Sequence, residues 1–361
     1  MTNMNQQGTT VQTRRPVSIA VLLLAAGLFA ACAGMSTGTR TASTSARTLL
    51  PAASWDCGLP TGIPVPEKGV LVLEAVVQLD AVYDVGRTPF GLRHAAVTQA
   101  GTMKGPKIEA AVLPGGLDYQ LTLANGVVEV EQILVLRTSD DRYVIMRNAG
   151  TGPNADDLRV VYDFEASTTG EFAWLNTGTY VGRRVIDAAA KTMRFSIYDV
   201  SGVAADPAGA VRIEKPAGVP PQPWDYRHAD AGEQRGEEIL TEIVTLGRSQ
   251  AVQAGKRGNR NVIPITGGTL TGLVSGKILF GGADYQSMGG GGPPIDARYL
   301  WETTEGDIII VRNTTNPGIG LVPTFETRVD GKYAWLNSGK YLSSNPGMGA
   351  GGLSISMYRS Q

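Results

Sequence analysis

Acidic and arginine residues that occur twice at matching positions are the side chains in this sequence best suited to acid–base chemistry. Glu131 and Asp296 each lie in a segment of alternating apolar residues, and Arg147 and Arg312 follow in short β-branched segments. A carboxylate in apolar surroundings has a raised pKa and can act as an acid or base, while an arginine can hold a substrate carboxylate or enolate. These four residues are candidate catalytic groups. The alternative is structural, because such pairs also tie neighbouring strands together.

A second set of polar and aromatic residues recurs in the same way and supplies candidate ligand-binding groups. Its members are Asp118, Tyr119, Asp284, Tyr285, Trp174, Asn176, Trp335, Asn337, Glu165 and Glu326. Two interpretations are open for them. The aspartates that follow Gly-Gly either contact a ligand or close a turn by accepting backbone N–H bonds. The tryptophans either line a pocket or fill the core, with the asparagines supplying a turn.

The scarcity of histidine and cysteine argues against several kinds of site. The chain has two histidines, His94 and His228, and two cysteines, Cys32 and Cys57. Zinc and non-haem iron sites need clusters of such ligands, and a Ser-His-Asp triad needs a histidine beside its nucleophile. The GGGGPP stretch is not followed by Lys-Ser/Thr, so it does not match a P-loop. We therefore expect no metal and no cofactor.

Charge and length narrow the class of protein further. The 361 residues include 32 lysines and arginines against 33 aspartates and glutamates. Phosphate binding requires a basic excess on some face, so we expect no nucleic-acid partner. A chain of this length has room for two or three ordinary domains.

Internal repetition shows how those domains are organised. Ala-Trp-Leu-Asn-x-Gly-x-Tyr begins at Ala173 and again at Ala334, GTMKG at Gly101 matches GTLTG at Gly268, and PGGLDYQ matches FGGADYQ. Several matches in the same order indicate a duplicated domain, which we expect to pack as an internal pseudo-dimer. We interpret the Ala-Trp-Leu-Asn stretch as a marker late in a strand, with its tryptophan at equivalent core positions in the two copies.

The elements that must position these residues are β-strands. VVEVEQILVL places Val128, Val130, Leu134 and Leu136 on one face, and the counterpart IDARYLWET alternates in the same way. A period of two with many Gly, Asn and Pro turns, and without a long amphipathic helix, predicts an all-β fold. We expect two tandem antiparallel β-barrels rather than sandwiches, because closure removes exposed edge strands.

The motif order in the second copy resembles a known family. PITGGTL, GKILFGGADYQ, IDARYLWET, DIIIVRN, PTFET, YAWLNSG and SMYR follow one another as in domain of unknown function 3237. This resemblance implies a small antiparallel barrel, calycin-like or allene-oxide-cyclase-like, with an apolar cavity. It implies little about activity, because the family is defined by the lack of one. Scattered members are proposed to be cyclases or other enzymes of small-molecule metabolism.

The amino-terminal segment has the pattern of an export signal. Arg14 and Arg15 precede an uncharged run from Val17 to Ala31, which is too short to span a membrane. The following Cys32 resembles the acylated cysteine of bacterial lipoproteins. We therefore expect a lipoprotein anchored on the periplasmic side of a membrane, or a periplasmic or secreted protein if Cys32 is not lipidated. In the second case a disulfide with Cys57 becomes possible.

These observations give a set of boundaries and three hypotheses. The predicted segments are a signal peptide at 1–31, a flexible tether at 32–66, a first barrel at 67–200, a Pro-rich linker at 201–236 and a second barrel at 237–361. The first hypothesis is an exported protein that binds a small apolar or aromatic molecule in a barrel cavity. The second is a metal-free lyase, isomerase or cyclase that uses a buried carboxylate and an arginine. The third is a structural envelope lipoprotein.

Overall fold

The computed structural model describes residues 62–154, 158–187, 189–211, 227–289 and 294–361. These residues belong to one compact unit, Ser43–Gln361. The predicted signal peptide, Cys32, Cys57, most of the tether and residues 212–226 of the Pro-rich linker lie outside the described residues.

Nine strands form the first repeat. They are β1 (Val70–Arg87), β2 (Leu92–Gly105), β3 (Ile108–Val112), β4 (Leu117–Thr122), β5 (Val128–Thr138), β6 (Tyr143–Gly152), β7 (Arg159–Glu165), β8 (Tyr180–Asp187) and β9 (Thr192–Asp199). Antiparallel pairing runs through β1, β9, β8, β7, β6, β5, β3 and β2, and β2 pairs again with β1. The sheet is therefore a closed barrel, with β4 also bridging β2 and β5, and the predicted barrel is confirmed.

The second repeat contains eleven strands in the described residues and uses the same order. They are β10 (Arg235–Leu246), β11 (Gln250–Gly255), β12 (Gly258–Gly272), β13 (Gly276–Ile278), β14 (Ala283–Met288), β15 (Asp296–Thr303), β16 (Ile308–Asn316), β17 (Gly320–Glu326), β18 (Tyr341–Ser343), β19 (Gly347–Gly349) and β20 (Gly352–Ser360). The pairing runs from β17 through β16, β15, β13, β12, β10 and β20 to β18. β17 and β18 stand at the two ends of this order. Because β18 has only three residues, the second barrel is less completely closed between these two strands.

Helical structure in the described residues is limited to short 3₁₀ turns. They span Pro66–Lys68, Glu171–Asn176 and Ala334–Asn337. The Ala-Trp-Leu-Asn stretch of each copy lies in one of these turns. Our placement of that stretch in a strand is therefore wrong, and its tryptophans pack half-buried at the margin of the core rather than inside it.

Side-chain alternation separates the interior of each barrel from its outer face. Val130, Leu134 and Leu136 of β5 belong to the core of the first barrel, as predicted. The opposite face of β5 is also buried, because Ile133 and Val135 pack against Val252, Val262 and Tyr285 of the second repeat. A further apolar cluster joins the repeats through Tyr119 and Leu300. The strands around β5 and β15 are thus covered on both faces.

Candidate functional site

A row of inward-facing residues runs around the first barrel through five strands. Ladder pairs place Ala96 opposite Asp118, Asp118 opposite Gln132, Gln132 opposite Asn148, and Asn148 opposite Tyr162. Residues directly opposite each other in an antiparallel ladder share a face. Since Ala96 and Tyr162 belong to the barrel core, the polar members between them also point inward. We call Asp118, Gln132, Asn148 and Tyr162 the polar row.

An arginine from β8 completes the polar row. Arg184 lies on the same face of β8 as the core residue Tyr180, and its guanidinium donates to the Asp118 carboxylate. Both side chains are 0% exposed. Gln120 donates a second hydrogen bond to the same Asp118 oxygen, at 2.7 Å. Asp118 therefore binds side chains across the barrel interior, and among the described residues no backbone N–H donates to its carboxylate as the turn-closing interpretation would require.

In the part of the chain that the structure describes, five buried polar atoms of this group have no hydrogen-bond partner. They are Asp118 Oδ1, Arg184 Nε, Arg184 Nη1, Asn148 Oδ1 and Tyr162 Oη. Tyr162 is close enough to Arg184 for the two to interact electrostatically, and burial outweighs that interaction and raises the pKa of the hydroxyl. Leaving such atoms unsatisfied costs about 1–3 kcal/mol each. This concentration of unmet donors and acceptors marks the interior of the first barrel as a candidate binding site.

The second barrel has a different interior. Its ladder places Asp284 opposite Ala297, Ala297 opposite Asn313, and Asn313 opposite Pro323. Asp284 keeps the glutamine contact of Asp118, because Gln286 donates to it at 2.7 Å. The position that corresponds to Arg184 is the exposed Asn345.

Glu242 is the acidic group at the centre of the second barrel. It lies on the same face of β10 as Leu240 and Val244, both core residues, and it is 0% exposed. Tyr299 Oη donates to its Oε1 at 2.7 Å, and Trp301 Nε1 donates to its Oε2 at 3.2 Å. Burial raises the pKa of Glu242 to about 8, although both hydrogen bonds act in the opposite direction.

The predicted catalytic carboxylates point away from the barrel interiors. Glu131 binds Arg298 of the other repeat at 2.9 Å. Asp296 binds Arg298 at 3.0 Å and Arg312 at 3.3 Å. All these side chains are buried between the repeats. Neither carboxylate lines a barrel cavity, so a role as a cavity acid or base does not fit its position.

The two carboxyl groups of this outer cluster, Glu131 and Asp296, differ in the direction in which their pKa is shifted. Burial raises the pKa of Glu131 to about 7, even though Arg298 lowers it. Burial alone would also raise the pKa of Asp296, but Arg298 and Arg312 outweigh it and lower that pKa. The fourth predicted catalytic residue, Arg147, lies elsewhere on the contact between the repeats, paired with Asp163.

The recurring glutamates also join the two repeats. Arg260 and Arg257 bind Glu165 across the contact at 3.0 and 2.8 Å. In the reverse direction, Arg93 of the first repeat forms two hydrogen bonds of 2.9 Å with Glu326 of the second. Each repeat therefore supplies an arginine to a glutamate of the other repeat.

The remaining predicted ligand-binding residues pack in apolar clusters or bind the backbone. Tyr119 and Tyr285 pack in the apolar clusters between the repeats, outside both barrels. Asn176 binds the backbone N–H and C=O of Ala166, each at 2.9 Å, and Asn337 does the same with Thr327. The asparagines therefore clamp the chain, as the turn interpretation required.

A cleft between the repeats lies apart from the inward-facing polar residues of both barrels. Its volume is about 370 Å³, and it is lined by Arg142, Tyr143, Arg248 and Val252 among others. None of the inward-facing polar residues of either barrel lines it.

Within the described residues no group of three or more His, Cys, Asp and Glu side chains is placed to hold a metal. No described helix has the length and hydrophobicity that crossing a membrane requires.

Comparison with known proteins settles the family. A family model described as "Protein of unknown function (DUF3237)" matches residues 68–203 and 236–317, more than half of the chain. The chain belongs to this family. UPF0311 protein blr7842 of Bradyrhizobium diazoefficiens is 40% identical over 129 residues, which cover 28% of this chain and 82% of the relative. A UPF0311 protein of Rhodopseudomonas palustris is 30% identical over 79 residues, covering 22% and 52%.

Solved structures of similar proteins cover about one repeat each. The protein RPA1785 of Rhodopseudomonas palustris is 23% identical and covers 36% of this chain and 95% of its own, with a TM-score of 0.33. A beta-barrel like protein of Acinetobacter baumannii is 20% identical and covers 36% and 94%, with a TM-score of 0.32. An enzyme from Penicillium herquei is 15% identical and covers 35% and 91%, with a TM-score of 0.29.

Two inward-facing charged residues of this DUF3237 protein escaped the sequence analysis. Arg184 and Glu242 each occur in one copy only, where the other copy has Asn345 and Ala75. We selected residues that recur in both copies, and that criterion rejects a residue present in one. The signal that identifies them is the contrast between the copies at positions where the strands alternate inward.

Proposed function

We propose that this protein binds a small aromatic compound inside its first barrel, and that the compound carries both a carbonyl or carboxylate group and a hydroxyl group. The observation that supports this is the set of five unpartnered polar atoms on Arg184 and the polar row. A ligand with both kinds of group satisfies donors and acceptors together.

The polarity of the unmet atoms determines which ligand group faces which side chain. Arg184 Nη1 and the Tyr162 hydroxyl are donors, so they suit a carboxylate or ketone oxygen. Asp118 Oδ1 and Asn148 Oδ1 are acceptors, so they suit a ligand hydroxyl. The neighbouring core is apolar and includes Phe195, whose ring lies edge-on to Tyr162 at 5.9 Å. An aromatic ring fits these surroundings.

The charge of the site favours a weakly anionic or neutral ligand. Asp118 neutralises Arg184, so a bound carboxylate receives hydrogen bonds from a guanidinium already paired once. Hydrogen bonds to charged groups contribute about 1.5–3 kcal/mol each. Such contributions correspond to roughly tenfold to hundredfold in affinity for each contact.

Titration of the full-length protein with 4-hydroxybenzoate tests the proposal. We expect isothermal titration to show binding and the thermal midpoint to rise, and Arg184→Met to weaken binding by at least about tenfold because it removes the donors. Arg183→Met is the matched control. Arg183 is the next residue of β8 and binds Glu67 on the outer face, so its removal leaves affinity unchanged.

A second variant separates binding from folding. Tyr162→Phe removes one buried hydroxyl that has no partner in the free protein. We expect it to raise the stability of the free protein and to weaken 4-hydroxybenzoate binding, whereas a purely structural hydroxyl would change only stability. If neither 4-hydroxybenzoate nor other aromatic acids and hydroxyketones stabilise the wild-type protein, the proposal is wrong and the row holds only water.

The arrangement and location of the two barrels are part of the proposal. We infer an internal pseudo-dimer, supported by the reciprocal pairs Arg93 with Glu326 and Arg260 with Glu165. We also infer an exported protein anchored through Cys32, supported by the amino-terminal sequence.

A further inference from the structure

We propose that the second barrel binds an organic ammonium ion, with Glu242 and Asp284 as its anionic partners and the surrounding aromatic rings as its walls. This site uses none of the residues assigned to the first barrel, so it does not rest on the function proposed above. The two barrels of one chain would then select ligands of different charge.

The contrast between the repeats is the first support. The ladders pair Glu242 with Leu270 and Ile355, and pair Ala75 of the first repeat with Met103 and Phe195 in the same pattern. Glu242 therefore replaces an alanine. At the same time Asn345 stands where the first repeat has Arg184. Relative to the first barrel, the second gains an acidic group and lacks the basic one.

The absence of a counter-ion is the second support. In the described part of the chain, the Glu242 carboxylate has hydrogen bonds only from Tyr299 and Trp301, both neutral donors. Asp284 has a hydrogen bond only from Gln286, and its buried Oδ1 has no partner. Buried carboxylates in proteins are ordinarily paired, so two of them without a cation leave an unmet demand for positive charge.

The surrounding rings are the third support. Trp301 lies 6.3 Å from Tyr299 and 5.2 Å from Phe325, measured between ring centroids. Phe325 in turn lies 5.1 Å from Tyr341. Aromatic faces attract cations, most strongly where water is excluded, and aromatic rings with a carboxylate form the usual site for organic ammonium groups. In the first repeat the residues that correspond to Tyr299 and Trp301 are Leu134 and Leu136, so these donors and rings belong to the second repeat.

The two carboxyl groups are linked through one side chain. Asp284 lies on the inward face of β14, because its neighbours Ala283 and Tyr285 pack outside the barrel. Burial raises the pKa of the Tyr299 hydroxyl, and the Glu242 and Asp284 carboxylates both act on it electrostatically in the same direction. Burial also raises the pKa of Asp284 to about 7. An ammonium group beside Tyr299 would therefore be within reach of both charges.

Proton release accompanies such binding. The flanking residues Leu270 and Ile355 are apolar, so the titratable groups that face Glu242 are Tyr299 and, beyond it, Asp284. An ammonium ion binds the ionised carboxylates and displaces their protons. Affinity should therefore rise with pH by up to about tenfold per unit below pH 8, for one proton released.

Isothermal titration with 2-phenylethylamine tests this at pH 6, 7 and 8, in buffers of different ionisation enthalpy. We expect binding, proton release, and no binding of the neutral isostere 2-phenylethanol. Glu242→Gln should weaken binding by at least about tenfold and flatten its pH dependence, and Asp284→Asn should act in the same direction. Glu238→Gln is the control, because Glu238 lies exposed on the same strand.

Two results would overturn the proposal. One is the absence of 2-phenylethylamine binding to the wild-type protein at pH 8. The other is an affinity in Glu242→Gln or Glu242→Ala equal to that of the wild-type protein, where the alanine restores the residue of the first repeat. A parallel titration of the wild-type protein with 4-hydroxybenzoate measures the first barrel separately, so either site can fail without the other.

Discussion

Buried carboxylates in this protein differ in the partner that each one has, and the partner decides what each can do. Asp296 has two arginines, and its pKa is lowered despite burial. Glu131 has one arginine, and its pKa rises to about 7. Glu242 has only neutral donors, and its pKa rises to about 8. Glu131 forms an ion pair between the repeats and Asp296 forms ion pairs within its own repeat, while Glu242 remains available for a ligand or a proton.

Glu242 should make the stability of the protein depend on pH. Its pKa is about 8 when folded and near the ordinary 4.5 when unfolded. The folded state therefore holds an extra proton between these values, and stability falls as pH rises from 4.5 to 8. Glu242→Gln has no ionisable group at this position, so it should lack this pH dependence. The free energy of unfolding of the variant minus that of the wild type should therefore rise by roughly 3 to 5 kcal/mol from pH 5 to pH 8.5.

Urea unfolding of both proteins across this range measures the effect. The exposed Glu238→Gln should follow the wild-type profile throughout. Parallel profiles for Glu242→Gln and wild type would show that Glu242 ionises normally in the folded protein.

At the scale of elements, the motif repeated in both copies fixes a short 3₁₀ turn against the strand that follows it. Tyr180 Oη donates to the Trp174 carbonyl at 3.0 Å, and Tyr341 repeats the contact with Trp335 at 3.1 Å. The tyrosine ring lies so close to Gly178 that a Cβ there would meet it at 2.2 Å. The Asn, Gly and Tyr of the motif therefore each have a structural reason.

The asparagine clamps should contribute measurably to stability. Asn337→Ala removes two hydrogen bonds of 2.9 Å and leaves the N–H and C=O of Thr327 without them. We expect a loss of about 1–3 kcal/mol in urea unfolding, and a similar loss for Asn176→Ala in the first repeat. Ser338→Ala, at the exposed next position, should change stability by less than about 0.5 kcal/mol. A loss no larger in Asn337→Ala than in Ser338→Ala would contradict the clamp.

Features that recur in both copies could be predicted from the sequence, whereas the inward charges Arg184 and Glu242, each present in one copy, could not be found by recurrence. Period-two alternation in β5 and β15 has a direct physical cause, so the strands, the barrel and its inward faces follow from it. Repetition selects residues that both copies need, such as Asn176 or Glu165, and those hold the fold. Whether the outer face of a strand is exposed or contacts the other repeat depends on tertiary packing. The burial of Glu131 against the second repeat therefore did not follow from alternation alone.

At the scale of the whole molecule, the contact between the two barrels contains the same arginine–glutamate pair twice, in reciprocal directions. Arg93 with Glu326 and Arg260 with Glu165 are each at most 1% exposed. Gly282 allows close approach at the same contact, since its N–H donates to Gly115 O at 2.7 Å. A Cβ on Gly282 would lie 3.0 Å from Leu117 Cδ1 of the first repeat, as well as 1.9 Å from Arg298 O of its own repeat. The Gly-Gly motif of each copy therefore serves the contact between repeats.

A double-mutant cycle on Arg93 and Glu326 tests whether this pair couples the barrels. Arg93→Met or Glu326→Leu alone leaves a buried charge without its partner and should cost about 3–5 kcal/mol in urea unfolding, whereas the double variant should cost far less than the sum. The exposed pair Arg359 with Glu237 supplies the control cycle, where coupling should stay below about 1 kcal/mol. Additive losses at Arg93 and Glu326 would mean that each side chain is satisfied within its own repeat, and the reciprocal pairs would then be a consequence of barrel packing rather than its cause.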